Sequence, residues 1–172
     1  MEAQYDRLAW VDVETTGLNP DLDAILEVGI IITDRSLTEI DRASWALGDA
    51  NPASISDPKV LEMHTRSGLL AECEASDLEI DILDEIVCFF LKHQGAVGSP
   101  MCGSTVGFDR SFLRHARFAK LFHYRNFDVS TYRTEARLLG IEPPPKREVH
   151  RALPDLEDSI ALAKWAMARV RT

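Results

Sequence analysis

At 172 residues with 45% hydrophobic composition, the chain is long enough to bury a sizeable core, and no shift in composition marks a boundary, so residues 1–172 are expected to form one domain. There is no unbroken apolar run of about eighteen residues and no basic start followed by a hydrophobic stretch, which excludes a membrane span and a secretion signal and makes the cytoplasm the expected location. The formal charge of -9 argues against a long nucleic-acid track, which needs many Lys and Arg contacts to phosphates; a bound piece should be short, and bound metal would offset part of the charge. Three cysteines, Cys73, Cys88 and Cys102, show no CxxC or Cys/His spacing, so neither a disulfide framework nor a zinc site is expected, only buried or half-buried thiols.

Leu8 to Leu18 (LAWVDVETTGL) is an apolar run that breaks at Gly17 and sets Asp12 and Glu14 two positions apart. In a strand, side chains at i and i+2 leave on one face, so the two carboxylates would emerge together. They are either solvated acids at a strand end or a pair that needs a hard cation between them. Asn19-Pro20-Asp21 is turn chemistry, Ala24 to Thr33 is a second β-rich run, and Arg35-Ser36 is another turn. Thr38 to Leu47, with Ile40, Trp45 and Leu47, suits a third, edge-lying strand, which completes an antiparallel meander. Gly48 to Pro58 is a loop.

Val60 to Leu70 predicts short helices hinged at Gly68, and Asp77 to His93 a helix burying Leu78, Ile82, Ile86, Phe89 and Phe90. Ser99 to Ser104 is a short buried strand, with Asp109 opening a helix that buries Phe112, Leu113 and Ala116. Phe122 to Thr131 offers a strand around Phe127 and Val129, then a helix burying Tyr132, Ala136 and Leu139 and stopping at Gly140. The prolines within Glu142 to Lys146 demand a stiff irregular loop, and Arg151 to Val170 carries Leu156, Ile160, Ala163, Met167 and Val170 at helical spacing. The predicted architecture is α/β, a mixed five-stranded sheet with its first three strands antiparallel, flanked by helices.

Asp12, Glu14, Asp109, Asp155 and His150 fall at strand ends and helix starts that an α/β sheet can bring to one edge. Singly, Asp109 and Asp155 suit helix N-termini and each histidine a surface; it is the joint spacing that points to chemistry. Four carboxylates in one cleft call for two divalent ions roughly 3.5–4 Å apart, the arrangement that hydrolyses phosphodiesters. His150 would take the proton from the attacking water, work for which imidazole chemistry is suited.

DVETTGL, GxxxGFDxxFL at Gly103 to Leu113 and HxxxxD at His150 to Asp155 resemble the three motifs of the DEDDh 3′ to 5′ exonuclease group, which has an RNase H-like fold. Within it, His123-Tyr124-Arg125, Asp128 to Thr131, His64-Thr65 and Ser67 to Leu69 resemble the oligoribonuclease family. The resemblance implies a 3′ to 5′ exoribonuclease that degrades short single-stranded oligoribonucleotides down to dinucleotides, giving nucleoside 5′-monophosphates, as a homodimer using two Mg²⁺ or Mn²⁺ ions. It further implies Asp12, Glu14, Asp109 and Asp155 as metal ligands, His150 as general base, Leu18 as a wedge against a base and His64 beside the substrate. Ser104, Arg125 and Ser130 would cap a 5′ phosphate, with Tyr124 reaching in from the second subunit; the alternative for the Phe122 to Arg125 stretch is a partly buried aromatic loop with Arg125 exposed. Thr15-Thr16 and Phe108 follow instead the proofreading exonucleases, and Lys59 stands where the oligoribonuclease family has tryptophan. These departures keep open a proofreading- or repair-type exonuclease acting on single-stranded DNA.

Overall fold

Residues 5–170, the side chain of Val170 excepted, are described by a computed structural model. Three strands, β1 (Arg7–Thr15), β2 (Ile25–Asp34) and β3 (Glu39–Ala46), form the expected meander, followed by helices α1 (Pro58–Arg66), α2 (Leu69–Ala75) and α3 (Ile80–His93). Strand β4 (Pro100–Gly103), helix α4 (Val106–Phe112), strand β5 (His123–Asp128), and helices α5 (Ser130–Leu139) and α6 (Ala152–Val170) complete the order. The sheet runs β3-β2-β1-β4-β5, antiparallel through β1 and parallel from β1 to β5. This is the mixed five-stranded sheet predicted, with β3 on an edge.

The local signals that shape these elements are specific. Asp34 turns the chain from β2 to β3 by accepting the N–H groups of Ser36 and Thr38 on one carboxylate oxygen, at 2.8 and 2.9 Å. Asp57 caps α1 through the N–H of Lys59, with Pro58 in the first helical turn. Gly68, at φ 79°, makes the hinge between α1 and α2.

Strand β1 is central and buried on both faces, and its alternation sorts the core. Ala9, Val11 and Val13, with Val28, Ile30 and Ile32 of β2, pack against Leu83, Val87 and Leu91 of α3. Trp10 and Ile31 point the other way, onto Leu156, Ile160 and Ala163 of α6. Trp10 is fully buried, and its indole N–H donates to the Thr33 hydroxyl at 3.0 Å, so its one polar atom is satisfied. Each of the large aliphatic side chains contributes about 2 kcal/mol by burial. Asp12 and Glu14 therefore share the α6 face with Trp10, at the end where the core gives way to the site.

Three expectations about buried faces need correction. Helix α3 buries Leu83, Val87 and Leu91 together with Asp84, whereas Ile82, Ile86 and Phe89 are exposed at 52%, 38% and 71%. The helix carries apolar residues nearly all round, so spacing alone offers two stripes. The choice is fixed by Asp84, whose carboxylate accepts the backbone N–H groups of Arg117 and Phe118. In α5, Ala136 is buried but Leu139, at the end of the helix, is exposed. Helix α4 ends at Phe112, so Ala116 packs from the segment after it. Val170, expected on the buried face of α6, lies outside the described side chains. Cys73 and Cys102 are buried and Cys88 is half-buried, all with free thiols.

Candidate active site

Strand β4 pairs with β1 only at Ala9 and Trp10, then turns into α4 after Gly103. Beyond that point the β4 side of β1 lacks a strand partner, and the N–H of Val13 is taken instead by Asp109, whose Oδ1 accepts it at 3.0 Å. Asp109 thus fills a gap in the ladder between Asp12 and Glu14. It is brought there from the first turn of α4 and is buried, with 3% exposure.

Asp155 arrives from the first turn of α6. That helix start lies close over β2, because the cross-strand partner of Asp12 is Gly29, where a Cβ would stand 2.5 Å from the Cβ of Ala152. The result is that oxygens of Asp12, Glu14 and Asp155 lie within 4.8 Å of one another. Burial, then Asp109, Glu14 and Asp155, hold the Asp12 carboxyl well above the usual carboxylate range, with Lys146 opposing. Burial, then Asp155 and Glu27, push Glu14 up to about 8. Burial pushes Asp109 up to about 7, against the Val13 N–H that favours its charged form. At Asp12 and Glu14, burial and the close approach of like charges outweigh the nearby Lys146 ammonium.

Of the other residues expected here, His150 precedes α6 at φ 54°, in the left-handed region, and borders a concavity with Lys59, Glu62, Met63 and Arg66. His64 is fully buried: its Nε2 donates to the Thr15 carbonyl at 3.0 Å and its Nδ1 lies 4.0 Å from Glu14. Burial lowers its pKa. Leu18 is 81% exposed, on a loop held by hydrogen bonds from Thr16 N–H to the Ala24 carbonyl and from Asn19 N–H to Asp23. The paired threonines serve that loop, since Thr15 donates to the Gly17 carbonyl and Thr16 accepts the Ala24 N–H.

Farther along the sheet edge, Tyr124 is exposed with the Arg125 guanidinium 5.5 Å from its ring centre. The Ser130 hydroxyl donates to Asp128, which also accepts the N–H groups of Thr105, Val106 and Ser130 and so ties β5 to the start of α4. Ser104 is half-buried at the end of β4. Phe108 packs against Phe112, ring centres 4.9 Å apart.

Three residues here were not picked out from sequence. Lys146, from the proline loop, places Nζ 3.2 Å from Asp155 Oδ2. Glu27, directly across from Glu14, is 1% exposed and is gripped by Arg151. A lone acid inside the otherwise apolar AILEVGIIIT was the available signal for Glu27.

The donor set fits divalent metal. All the oxygens are hard carboxylate ligands, and Asp155 Oδ1 is buried without a hydrogen-bond partner, a state a cation would relieve.

Comparison with known proteins agrees with this geometry. The profile of the RNase T exonuclease family matches residues 9–163, and the chain belongs to that family. Among curated relatives, the oligoribonuclease of Shewanella loihica is 34% identical over 183 residues, covering 99% of this chain and 98% of its own. The oligoribonuclease of Shewanella oneidensis is 33% identical with the same coverage. Exonuclease I of E. coli in complex with single-stranded DNA superposes with a TM-score of 0.68 at 17% identity, over 96% of this chain and 41% of its own. Exonuclease I of Methylocaldum szegediense gives 0.67 at 20% identity, again over 96% of this chain and 41% of its own. The chain spans about two fifths of those exonuclease I chains. The fold is RNase H-like, as the sequence motifs implied.

Proposed function

We propose that the chain is a divalent-metal-dependent 3′ to 5′ exoribonuclease that shortens small single-stranded oligoribonucleotides to nucleoside 5′-monophosphates. The observation that carries this is the convergence of Asp12, Glu14 and Asp155 within 4.8 Å at the strand end where Asp109 replaces the missing ladder partner. Asp12, Glu14, Asp109 and Asp155 would hold two Mg²⁺ or Mn²⁺ ions. Such ions, when bound, neutralise charge on the phosphate and lower the pKa of a water. His150 would accept the attacking water's proton on an imidazole nitrogen as the water oxygen bonds to phosphorus and the P–O3′ bond breaks, the 3′ oxygen leaving as a hydroxyl with a proton from solvent. His64 backs Glu14 at the edge of the substrate site, and the exposed Leu18 offers an apolar surface to a base.

Length preference would come from the far end. Arg125, Ser104 and Ser130 offer a guanidinium and hydroxyls to a 5′ phosphate, with Tyr124 supplied by a second copy of the chain. Its high exposure in the single chain suits that arrangement. Among the described residues, no helix is long and apolar enough to cross a membrane.

Thr15-Thr16 and Phe108, which resemble the proofreading exonucleases, motivate a second reading, action on single-stranded DNA. A length series of 5′-labelled RNA and DNA, from dimers to decamers, with Mn²⁺ separates the two. The first reading expects stepwise loss from the 3′ end, fastest on short RNA, and none in Asp12→Ala. Faster cleavage of long DNA would select the second, and no shortening of any strand would end both.

A further inference from the structure

The imidazole assigned to the water sits in a backbone conformation that histidine seldom takes. His150 has φ 54°, in the left-handed region where a Cβ crowds the following carbonyl, and the loop before it is irregular. Such a residue keeps its place only if its neighbours are fixed. The next two residues are fixed by one buried carboxylate. Glu27 accepts Arg151 Nε on Oε2 at 3.0 Å and Nη2 on Oε1 at 3.1 Å, and the same Oε2 accepts the backbone N–H of Ala152 at 3.1 Å. The other edge of the guanidinium takes Glu72 of α2, with Nη1 and Nη2 donating at 2.8 and 2.6 Å.

Arg151 therefore joins β2, α2 and the start of α6, using both sides of its planar fork. Glu27 is 1% exposed on the second strand of the sheet, so this anchor has little freedom to drift. The charge of Arg151 also offsets Glu27, which otherwise would face Glu14 directly across the ladder as a second buried anion.

Resting on the exonuclease reading above, we propose that Arg151, locked between Glu27 and Glu72, is a positioning residue that holds the His150 imidazole over the substrate phosphate. The contact geometry depends on a fork that lysine lacks, since an ammonium has no second edge to offer a second carboxylate in plane.

The test compares wild type, His150→Ala, Arg151→Lys and the charge-neutral double variant Glu27→Gln/Arg151→Met. kcat and KM are measured on a labelled RNA trimer, and Mn²⁺ stoichiometry and affinity by calorimetry, all well below each protein's melting temperature. A displacement of about 1 Å at a reacting group lowers rates by roughly 100-fold, so Arg151→Lys should lose kcat by about tenfold and the double variant by about 100-fold. KM, Mn²⁺ stoichiometry and Mn²⁺ affinity should stay within about twofold, because Asp12, Glu14 and Asp109 are carried by β1 and α4, and Asp155 is held through the backbone of α6 and the contact of Ala152 with Gly29 rather than by the guanidinium. A merely structural role would instead lower Mn²⁺ stoichiometry in step with kcat, and that result overturns the proposal. Wild-type kcat in Arg151→Lys overturns it as well, and remains decisive if the double variant fails to fold. An inactive wild type would mark failure of the exonuclease reading, whereas an active wild type, a dead His150→Ala and an unimpaired Arg151→Lys would mark failure of the positioning role alone.

Discussion

Stability of the metal-free protein should fall as pH rises from 6.5 to 8, opposite to the usual gain of a protein leaving its acid range. Glu14 is pushed up to about 8 from an ordinary value of 4.5, chiefly by burial. A carboxyl whose folded pKa exceeds its unfolded one stabilises the fold while it holds its proton, and that stabilisation is lost as pH climbs through the folded pKa. Below pH 6.5 the lowered pKa of His64 works in the other direction, because the unfolded chain then binds the extra proton. Asp84, Asp128 and Glu157 have lowered pKa values, and their contributions are confined to more acidic solution. The window from 6.5 to 8 therefore isolates the acid cluster. At about 1.36 kcal/mol per pH unit, Glu14 alone removes about 2 kcal/mol across it, and the raised Asp12 adds to the loss. Urea unfolding in EDTA at several pH values measures this directly. Glu14→Gln should flatten the slope by about 2 kcal/mol, and saturating Mn²⁺ should abolish the fall by binding the ionised acids. A stability that is level or rising over this window, or a slope unchanged in Glu14→Gln, would refute the idea that burial and crowding raise these acids.

Three further outcomes follow from particular contacts. Lys146→Met should tighten Mn²⁺ binding by up to about fivefold in calorimetry, because the ammonium 3.2 Å from Asp155 competes for the same carboxylate; unchanged or weaker binding would show that the lysine stands clear of the metal. Gly29→Ala should cost about 1–3 kcal/mol in urea unfolding, since its Cβ would meet Ala152 at 2.5 Å and push α6 off the sheet, and activity should fall as Asp155 moves away. Arg125→Ala should slow hydrolysis of RNA dimers at least about tenfold while pentamers are much less affected, as loss of one charge-assisted phosphate contact predicts. Equal effects on both lengths would remove Arg125 from the 5′ phosphate cap.

The mixed sheet was legible in the sequence because the first two strands are short apolar, β-branched runs that end at turn residues with defined chemistry, Asn19-Pro20-Asp21 and Arg35-Ser36. Asp12 and Glu14 share a face for the simplest of reasons, the period of a strand. Neither the supporting shell nor the face that α3 buries was legible. Leu83 and Ile82 are adjacent and equally apolar, and what separates them is Asp84 bonding a segment more than thirty residues away. Arg151 reads from the sequence as an ordinary charged residue at a helix start; its partner Glu27 is 124 positions distant and becomes its neighbour only through β2 and α6. Likewise, nothing local says that His64 is sealed behind β1, because its burial is made by a strand and a helix meeting across a long loop.

The most direct measurement is anomalous diffraction at the manganese edge from crystals grown with Mn²⁺ and a non-hydrolysable RNA dimer. Two peaks should appear among Asp12, Glu14, Asp109 and Asp155, roughly 3.5–4 Å apart, with Lys146 withdrawn from Asp155 and the His150 ring facing the scissile phosphate. Crystals whose RNA is bound but whose manganese signal lies away from these four carboxylates would contradict the assignment of this site to metal-dependent hydrolysis.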